Sequence, residues 1–269
     1  MTERITSRKN DAVRAAARLA QSAAARRESG LFLCEGARLC ADAALSGAAI
    51  ESLFFTEKAE EKYAAYLAPI ERAAKRAFLV SEPVEDLLSC TGASQGVFCV
   101  CRMAEKRGEA ELPLTHCLAL ETLQDPGNLG TALRTAEALG IGSVLLAGEC
   151  CDVYSPKVLR ASMGAVFRLP IFFAESLPEA LGRLSARGFF SCAAVPDSAA
   201  EPVTRVDFSC PCVMAVGNEG NGLSREAIEA CDRRVTIPML GRAESLNAAS
   251  SAAILMWEMT RGGGVRRDG

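Results

Sequence analysis

Three polar stretches hold the side chains of this 269-residue chain best suited to chemistry: QDPGNLGTALR at 124–134, GNEGNGLS at 217–224 and IPMLGRAESLNAAS at 237–250. Each contains glycine, which allows close backbone approach and unusual dihedral angles. Asn128 can donate and accept at once. Arg134 follows one and a half helical turns later as a permanent cation. Glu219 brings a carboxylate among small and polar residues, and Ser245 and Asn247 bracket Leu246 just before an apolar run. With the loop amides, this set can hold a nucleotide-like ligand without a metal. Each member also has a plain structural role: Asn128 as the cap of a helix starting at Leu129, Arg134 as a surface residue, Glu219 in a tight turn, and Ser245 and Asn247 as caps of the last helix. The residues by themselves reach an α/β domain with a small-molecule or nucleotide site.

Other signatures are incomplete. No GxGxxG follows a first strand and no GxxxxGK[ST] is present, which argues against dinucleotide and phosphate-loop folds. The single histidine, His116, opens an apolar strand and reads as structural. Cys99/Cys101 and Cys210/Cys212 are one residue apart rather than two, which disfavours zinc. No hydrolase nucleophile motif occurs. No metal site is expected.

The three stretches need strands to carry them. In the second half, strands are expected at 116–123, 143–148, 189–195, 212–217 and 233–239, with helices at 129–140, 178–188, after Ser224, and at 247–261. Ser224 is placed to cap its helix, with Glu226 in the first turn. Such alternation implies a mostly parallel sheet covered on both faces. Its ligands bind beyond the C-terminal strand ends, where the three loops gather if their strands are parallel. The first half reads as a smaller α/β domain. A helix is expected over 10–28, its stripe approximated by Val13, Ala17, Ala20 and Ala24. Strands are expected at 31–36, 51–56, 77–80 and 97–101, with helices to about Ser46 and over 58–70. The charged stretch MAEKRGEAELP suggests a boundary: residues 1–105, a linker at 106–113, and a second domain at 114–265.

Composition bounds the class. A 49% hydrophobic content supports a sizeable core, and a net charge of −3 argues against a wholly basic nucleic-acid coat. The first 38 residues nonetheless hold eight Lys/Arg against four Asp/Glu. The twelve cysteines do not form a disulfide framework, since several sit inside apolar runs. No stretch is long and apolar enough to span a membrane. A cytoplasmic protein is expected.

At its three loops the chain resembles the SpoU/TrmH family of RNA 2′-O-methyltransferases, within the SPOUT superfamily. DPGNLGTALRTAEALG at 125–140 is similar to the family's first motif, and 213–258 to its second and third together. The likeness covers essentially all of 114–261. ITSRKNDAVRAAARL at 5–19, LFLCEGARL at 31–39 and SQGVFCV at 94–100 resemble, less specifically, a companion ribosomal-protein-like RNA-binding module.

The resemblance implies an α/β trefoil-knot methyltransferase domain, a homodimer, and S-adenosyl-L-methionine as cofactor. Gly217, Ile237 and Leu246 would be its backbone contacts, with Gly148 nearby. Arg134 matches the family's essential arginine, proposed there as a base, though a guanidinium is equally suited to electrostatic stabilisation. Asn128, Glu219, Ser245 and Asn247 match its other polar positions. Arg8, Lys9, Arg14, Arg26, Arg27 and Arg38 become candidate phosphate contacts. Where the family often has a serine two residues after the asparagine, this chain has Ala249. The expected substrate is a ribose 2′-hydroxyl in structured RNA, with ribosomal RNA leading. Transfer RNA, a non-catalytic rRNA-binding assembly factor and a different nucleotide-using enzyme remain open.

Overall fold

The computed structural model describes residues 2–262, so residues 263–265 of the expected second domain lie outside the described residues. The chain divides into two compact units. One takes the residues up to Glu105 together with Asp152–Phe167. The other takes Lys106–Cys151 and the residues from Arg168 onward.

The first unit runs β1 (Glu3–Ile5), α1 (Asp11–Gln21), α2 (Ala23–Ser29), β2 (Leu31–Glu35), α3 (Ala37–Leu45), β3 (Ile50–Phe55), α4 (Glu57–Ala73), β4 (Ala77–Val80), α5 (Glu82–Leu88) and β5 (Val97–Arg102). Its sheet has the order β1-β4-β3-β5-β2. Strand β5 is antiparallel to both neighbours, and the other pairs are parallel. The helix expected over 10–28 is two helices. Asn10 starts α1 by accepting from the amides of Ala12 and Val13. Ser22 then turns extended, and its hydroxyl accepts from Ala25 N to start α2. Val13 and Ala17 are buried as the stripe requires, but Ala24 is exposed because the break rotates the second helix.

The second unit begins with β6 (Arg107–Gly108), followed by β7 (Cys117–Glu121), α6 (Pro126–Ala138) and β8 (Ser143–Ala147). The chain then contributes α7 (Pro156–Ser162) to the first unit, and α8 (Ala165–Arg168) ends that excursion. The second unit resumes with β9 (Ile171–Ala174), α9 (Leu177–Ser185), β10 (Phe190–Ala194), β11 (Glu201–Pro202), β12 (Cys212–Val216), α10 (Arg225–Ala230), β13 (Arg233–Thr236) and α11 (Ala248–Thr260). The sheet order is β11-β13-β10-β12-β7-β8-β9-β6. Every pair is parallel. The central strands β7, β8 and β12 are almost wholly buried, which their continuous apolar runs require. Helices α6 and α11 pack on each other.

One further expectation needs correction. The stretch 106–113 is not a free linker. Arg107–Gly108 pairs with β9, Leu112 is 1% exposed, and Arg187 donates to the carbonyls of Glu109 and Leu112. The buried leucine and the Arg187 fork fix it as the edge of the second sheet. The excursion Asp152–Phe167 has no counterpart in the sequence reading. It packs α7 against β2, with the ring of Tyr154 4.5 Å from that of Phe32.

Candidate active site

Because the strands are parallel, the loops after β7, β12 and β13 leave from one sheet end, and their side chains meet. Asp125, not Asn128, caps α6: its carboxylate accepts from Asn128 N at 2.8 Å, and the helix begins at Pro126. This frees the Asn128 side chain. Its Nδ2 donates to Glu219 Oε1 at 2.9 Å, and its Oδ1 accepts from Asn247 Nδ2 at 2.9 Å. Asn247 Oδ1 caps α11 by accepting from Ala249 N and Ser250 N. The polarity is fixed at both ends. The carboxylate can only accept and the helix terminus can only donate, so each amide between them has one usable orientation.

Glu219 also accepts from the amides of Gln124 and Asp125. Partial burial opposes its charge, but the bonds from Asn128 and these amides outweigh it and hold the carboxyl below its usual range. A carboxylate so occupied orients its neighbours and does not take up a proton near neutrality. Arg134 is exposed on α6, and its guanidinium has no hydrogen bond or ion pair with another described residue. Its fork is available to a ligand. Cys151, near Asp125 and Glu219, is no nucleophile, because burial pushes its thiol up to about 12.

Beside this relay lies a cleft of about 340 Å³, within the usual range for small-molecule sites. Gly217, Glu219, Ile237, Ser245 and Leu246 all line it. Gly148 does not. It stands at the end of β8 at φ +65°, where a Cβ would come 2.8 Å from Thr122 Oγ1. Its role is to make room for Thr122, itself held at φ 52° in the turn after β7. Gly217 is required by its own loop: a Cβ there would lie 2.0 Å from Gly222 C and 2.1 Å from Leu223 N.

Asn218 escaped the sequence reading, although it stands between two singled-out residues. Its Oδ1 accepts from Gly220 N and Asn221 N, and its Nδ2 reaches Thr122 O at 2.9 Å, so it ties the second loop to the first. Glu121 was missed because it ends an apolar strand. It accepts from the amide and hydroxyl of Ser224, both at 2.7 Å. The departure at Ala249 is benign for capping, since Asn247 supplies the cap; Ala249 is buried, and Ser251 lines the cleft. His116 is structural. Burial lowers its imidazole pKa, and Nδ1 accepts from Cys212 N.

Of the basic residues in the first unit, Arg8, Lys9, Arg14, Arg27 and Arg38 are exposed. Arg26 is not: it is 4% exposed, paired with Asp152 at 2.7 Å, and donates to Leu19 O. Its guanidinium is consumed in holding Asp152, which removes it from the candidate phosphate contacts. Among the described residues no His/Cys/Asp/Glu cluster could hold a metal, and no helix is long and apolar enough to cross a membrane.

A parallel α/β sheet with a polar relay and a cleft at its carboxyl end defines a nucleotide-type site, and comparison with known proteins gives it a family. Residues 115–257 match the SpoU rRNA Methylase family, and residues 10–99 match the MRM3-like substrate binding domain. An uncharacterized tRNA/rRNA methyltransferase of Synechocystis is 34% identical over 96% of this chain and 93% of its own. The Bacillus subtilis 23S rRNA (guanosine(2553)-2'-O)-methyltransferase RlmP is 30% identical over 87% of this chain and 90% of its own. An AdoMet-bound rRNA methyltransferase from Sinorhizobium meliloti has the same fold, with a TM-score of 0.86 at 29% identity over 97% of this chain and 98% of that one. The chain belongs to the SpoU rRNA methylase family. It is an S-adenosylmethionine-dependent RNA ribose 2′-O-methyltransferase.

Proposed function

We propose that this methyltransferase modifies ribosomal RNA, with Arg134 facing the target ribose and the Glu219–Asn128–Asn247 relay holding the three loops around the reaction. The observation that supports this reading is the relay itself: three residues up to 119 positions apart, hydrogen-bonded in one polarity beside the cleft.

The cleft suits the cofactor. Val216, Ile237, Leu246 and Leu255 offer apolar walls for a purine. Among the described residues, the backbone groups of Pro238–Leu246 bond to no other group, which leaves their donors and acceptors for a ligand edge. When bound, S-adenosylmethionine supplies an electrophilic methyl on a sulfonium. The chain's own residues do the rest. Backbone groups at Gly217, Ile237 and Leu246 hold the cofactor, and Ser245 and Asn247 fix the third loop. The guanidinium of Arg134 binds substrate phosphate and stabilises negative charge developing on the ribose 2′-oxygen, whose proton passes to solvent water as the methyl group is transferred.

Helix α11 supports a homodimer, because its apolar Ile254 and Trp257, one turn apart, are 38% and 55% exposed, while Ala252, Leu255, Met256 and Met259 face the core. A second copy covers them. The order β13-β10-β12-β7, with β12 inserted beside the first central strand, accords with a knotted C-terminal segment. Its free thiols suit the reducing cytoplasm, where ribosomal RNA is found.

The test is 2′-O-methylation mapping of total RNA from cells with and without the gene, complemented by wild type or Arg134→Ala. One rRNA methylation should vanish with the gene and return only with wild type. Arg134→Ala should lower kcat at least about 100-fold and leave S-adenosylhomocysteine binding and Tm intact. A lost tRNA mark would transfer the reading to tRNA, and no lost mark would favour a non-catalytic binder.

A further inference from the structure

A second cavity, of about 370 Å³, lies wholly within the first unit. Its wall joins three sequence-distant pieces: the start of α3 with Gly36, Arg38 and Leu39; the loop with Thr91, Ala93 and Gln95; and α7 with Arg160 and Met163. Arg160 and Met163 lie outside the residues that match the substrate-binding domain, inside the stretch that matches the methylase family. Neither match contains the cavity whole.

Its chemistry is mixed. Among the described residues, Arg160 Nη1 is buried with no hydrogen-bond partner, a donor whose desolvation none of them offsets. Arg38 is exposed at the rim. Glu35 also faces the cavity, but its carboxylate is occupied by the Ser89 hydroxyl, Cys90 N and the Thr91 hydroxyl, which brace the 89–91 loop. The two arginines are matched by Glu35 and Asp42, so the lining is near neutral, unlike a site for a multiply charged anion. Leu39, Ala93 and Met163 add apolar surface. Met163 closes α7 as its left-handed C-cap at φ 49°, its amide donating to Arg160 O. Apolar faces, a guanidinium plane and an unsatisfied donor are what a flat, polar-edged heterocycle needs.

We propose that this cavity receives one unstacked nucleobase of the substrate RNA, with Arg160 donating to its edge and Arg38 meeting the adjoining phosphate. The proposal rests on the RNA reading above. It makes the α7 excursion, carried inside the methylase sequence, a specificity element of the substrate-binding unit.

The test uses the full chain and rRNA from cells lacking its gene. Ala93→Trp fills the cavity from an exposed position and leaves the core untouched; Arg160→Met removes the donor. Each should raise KM for rRNA at least about tenfold, with S-adenosylhomocysteine affinity within about twofold of wild type. Ultraviolet cross-linking with peptide mapping should place nucleotide adducts on 36–42, 91–95 or 156–163 in wild type and lose them in Ala93→Trp. Wild-type KM together with unchanged cross-links in Ala93→Trp would overturn the proposal, even if Arg160→Met fails to fold. A wild-type chain that methylates no rRNA would refute the functional reading instead, and the cross-links would still decide the cavity.

Discussion

Asn128→Asp tests the relay with the smallest change of shape. It replaces the Nδ2 donor, 2.9 Å from Glu219 Oε1, with an oxygen. Two carboxylates at that separation repel by about 1.4 kcal/mol at the dielectric of water and about 6 kcal/mol at an effective value of 20. Protonating one of them limits the cost to about 4 kcal/mol at pH 7, given a reference pKa of about 4.3. Glu219 is exposed, so screening favours the lower part of that range. A loss of about 1.5–3 kcal/mol in the organised loops corresponds to about a 10–150-fold fall in kcat/KM. The bond from Asn247 survives, since the new carboxylate still accepts, so the damage is confined to the Glu219 side. Adding Glu219→Gln should restore about tenfold, because the new amide can donate where Asn128 did. The assay is methyl incorporation into rRNA from cells lacking the gene, with Tm as a check on folding. Wild-type activity in the single variant, or a folded double variant no better than the single, would refute the relay. The second outcome would make Asn128 a direct substrate contact.

Three further outcomes follow from the geometry. Gly217→Ala forces a Cβ into the backbone of Gly222 and Leu223, and should cost about 1–3 kcal/mol of stability and abolish S-adenosylhomocysteine binding, read by calorimetry and thermal melting. Asp152→Ala strands the buried Arg26 charge and should cost about 3–5 kcal/mol, whereas Arg26→Met/Asp152→Ala should recover most of it; in neither should the salt dependence of RNA binding shift, as it would if Arg26 met phosphate. Because Glu219 is held below its usual range, its charged form adds stability above the unfolded value, near pH 4, and that stability is lost as pH falls through the folded value. Wild type should therefore lose more Tm than Glu219→Gln between pH 5 and pH 3, with no difference between pH 6 and pH 8.

The second half of the chain was legible because its signals are local. Apolar runs such as CVMAV at 212–216 and SVLLA at 143–147 have no period-2 alternation, which buried parallel strands do not need. Glycine and proline punctuate the loops between them. The residue types at 128, 134, 219, 245 and 247 stood out for the same reason: polar side chains in or beside glycine-bearing loops, next to apolar strands, are placed to cap, to turn or to meet a ligand.

What each side chain does was decided in three dimensions. Pro126 at the first helical position lets Asp125 cap α6 locally, but the partner of the Asn128 side chain, Glu219, lies 91 residues away and comes only with the fold. Arg26 and Arg27 are adjacent and chemically identical. The turn at Ser22 sends one inward to Asp152 and leaves the other in solvent. The stretch 106–113 is charged enough to read as a linker, yet pairing with β9 and the burial of Leu112 make it an edge of the sheet. The sequence by itself determined the fold class, the parallel sheet and the chemical inventory of the site, because these depend on patterns within a few turns or strands. The partners of each polar group, and the return of Asp152–Phe167 to the first unit, depended on contacts between residues far apart in the chain, which local composition does not encode.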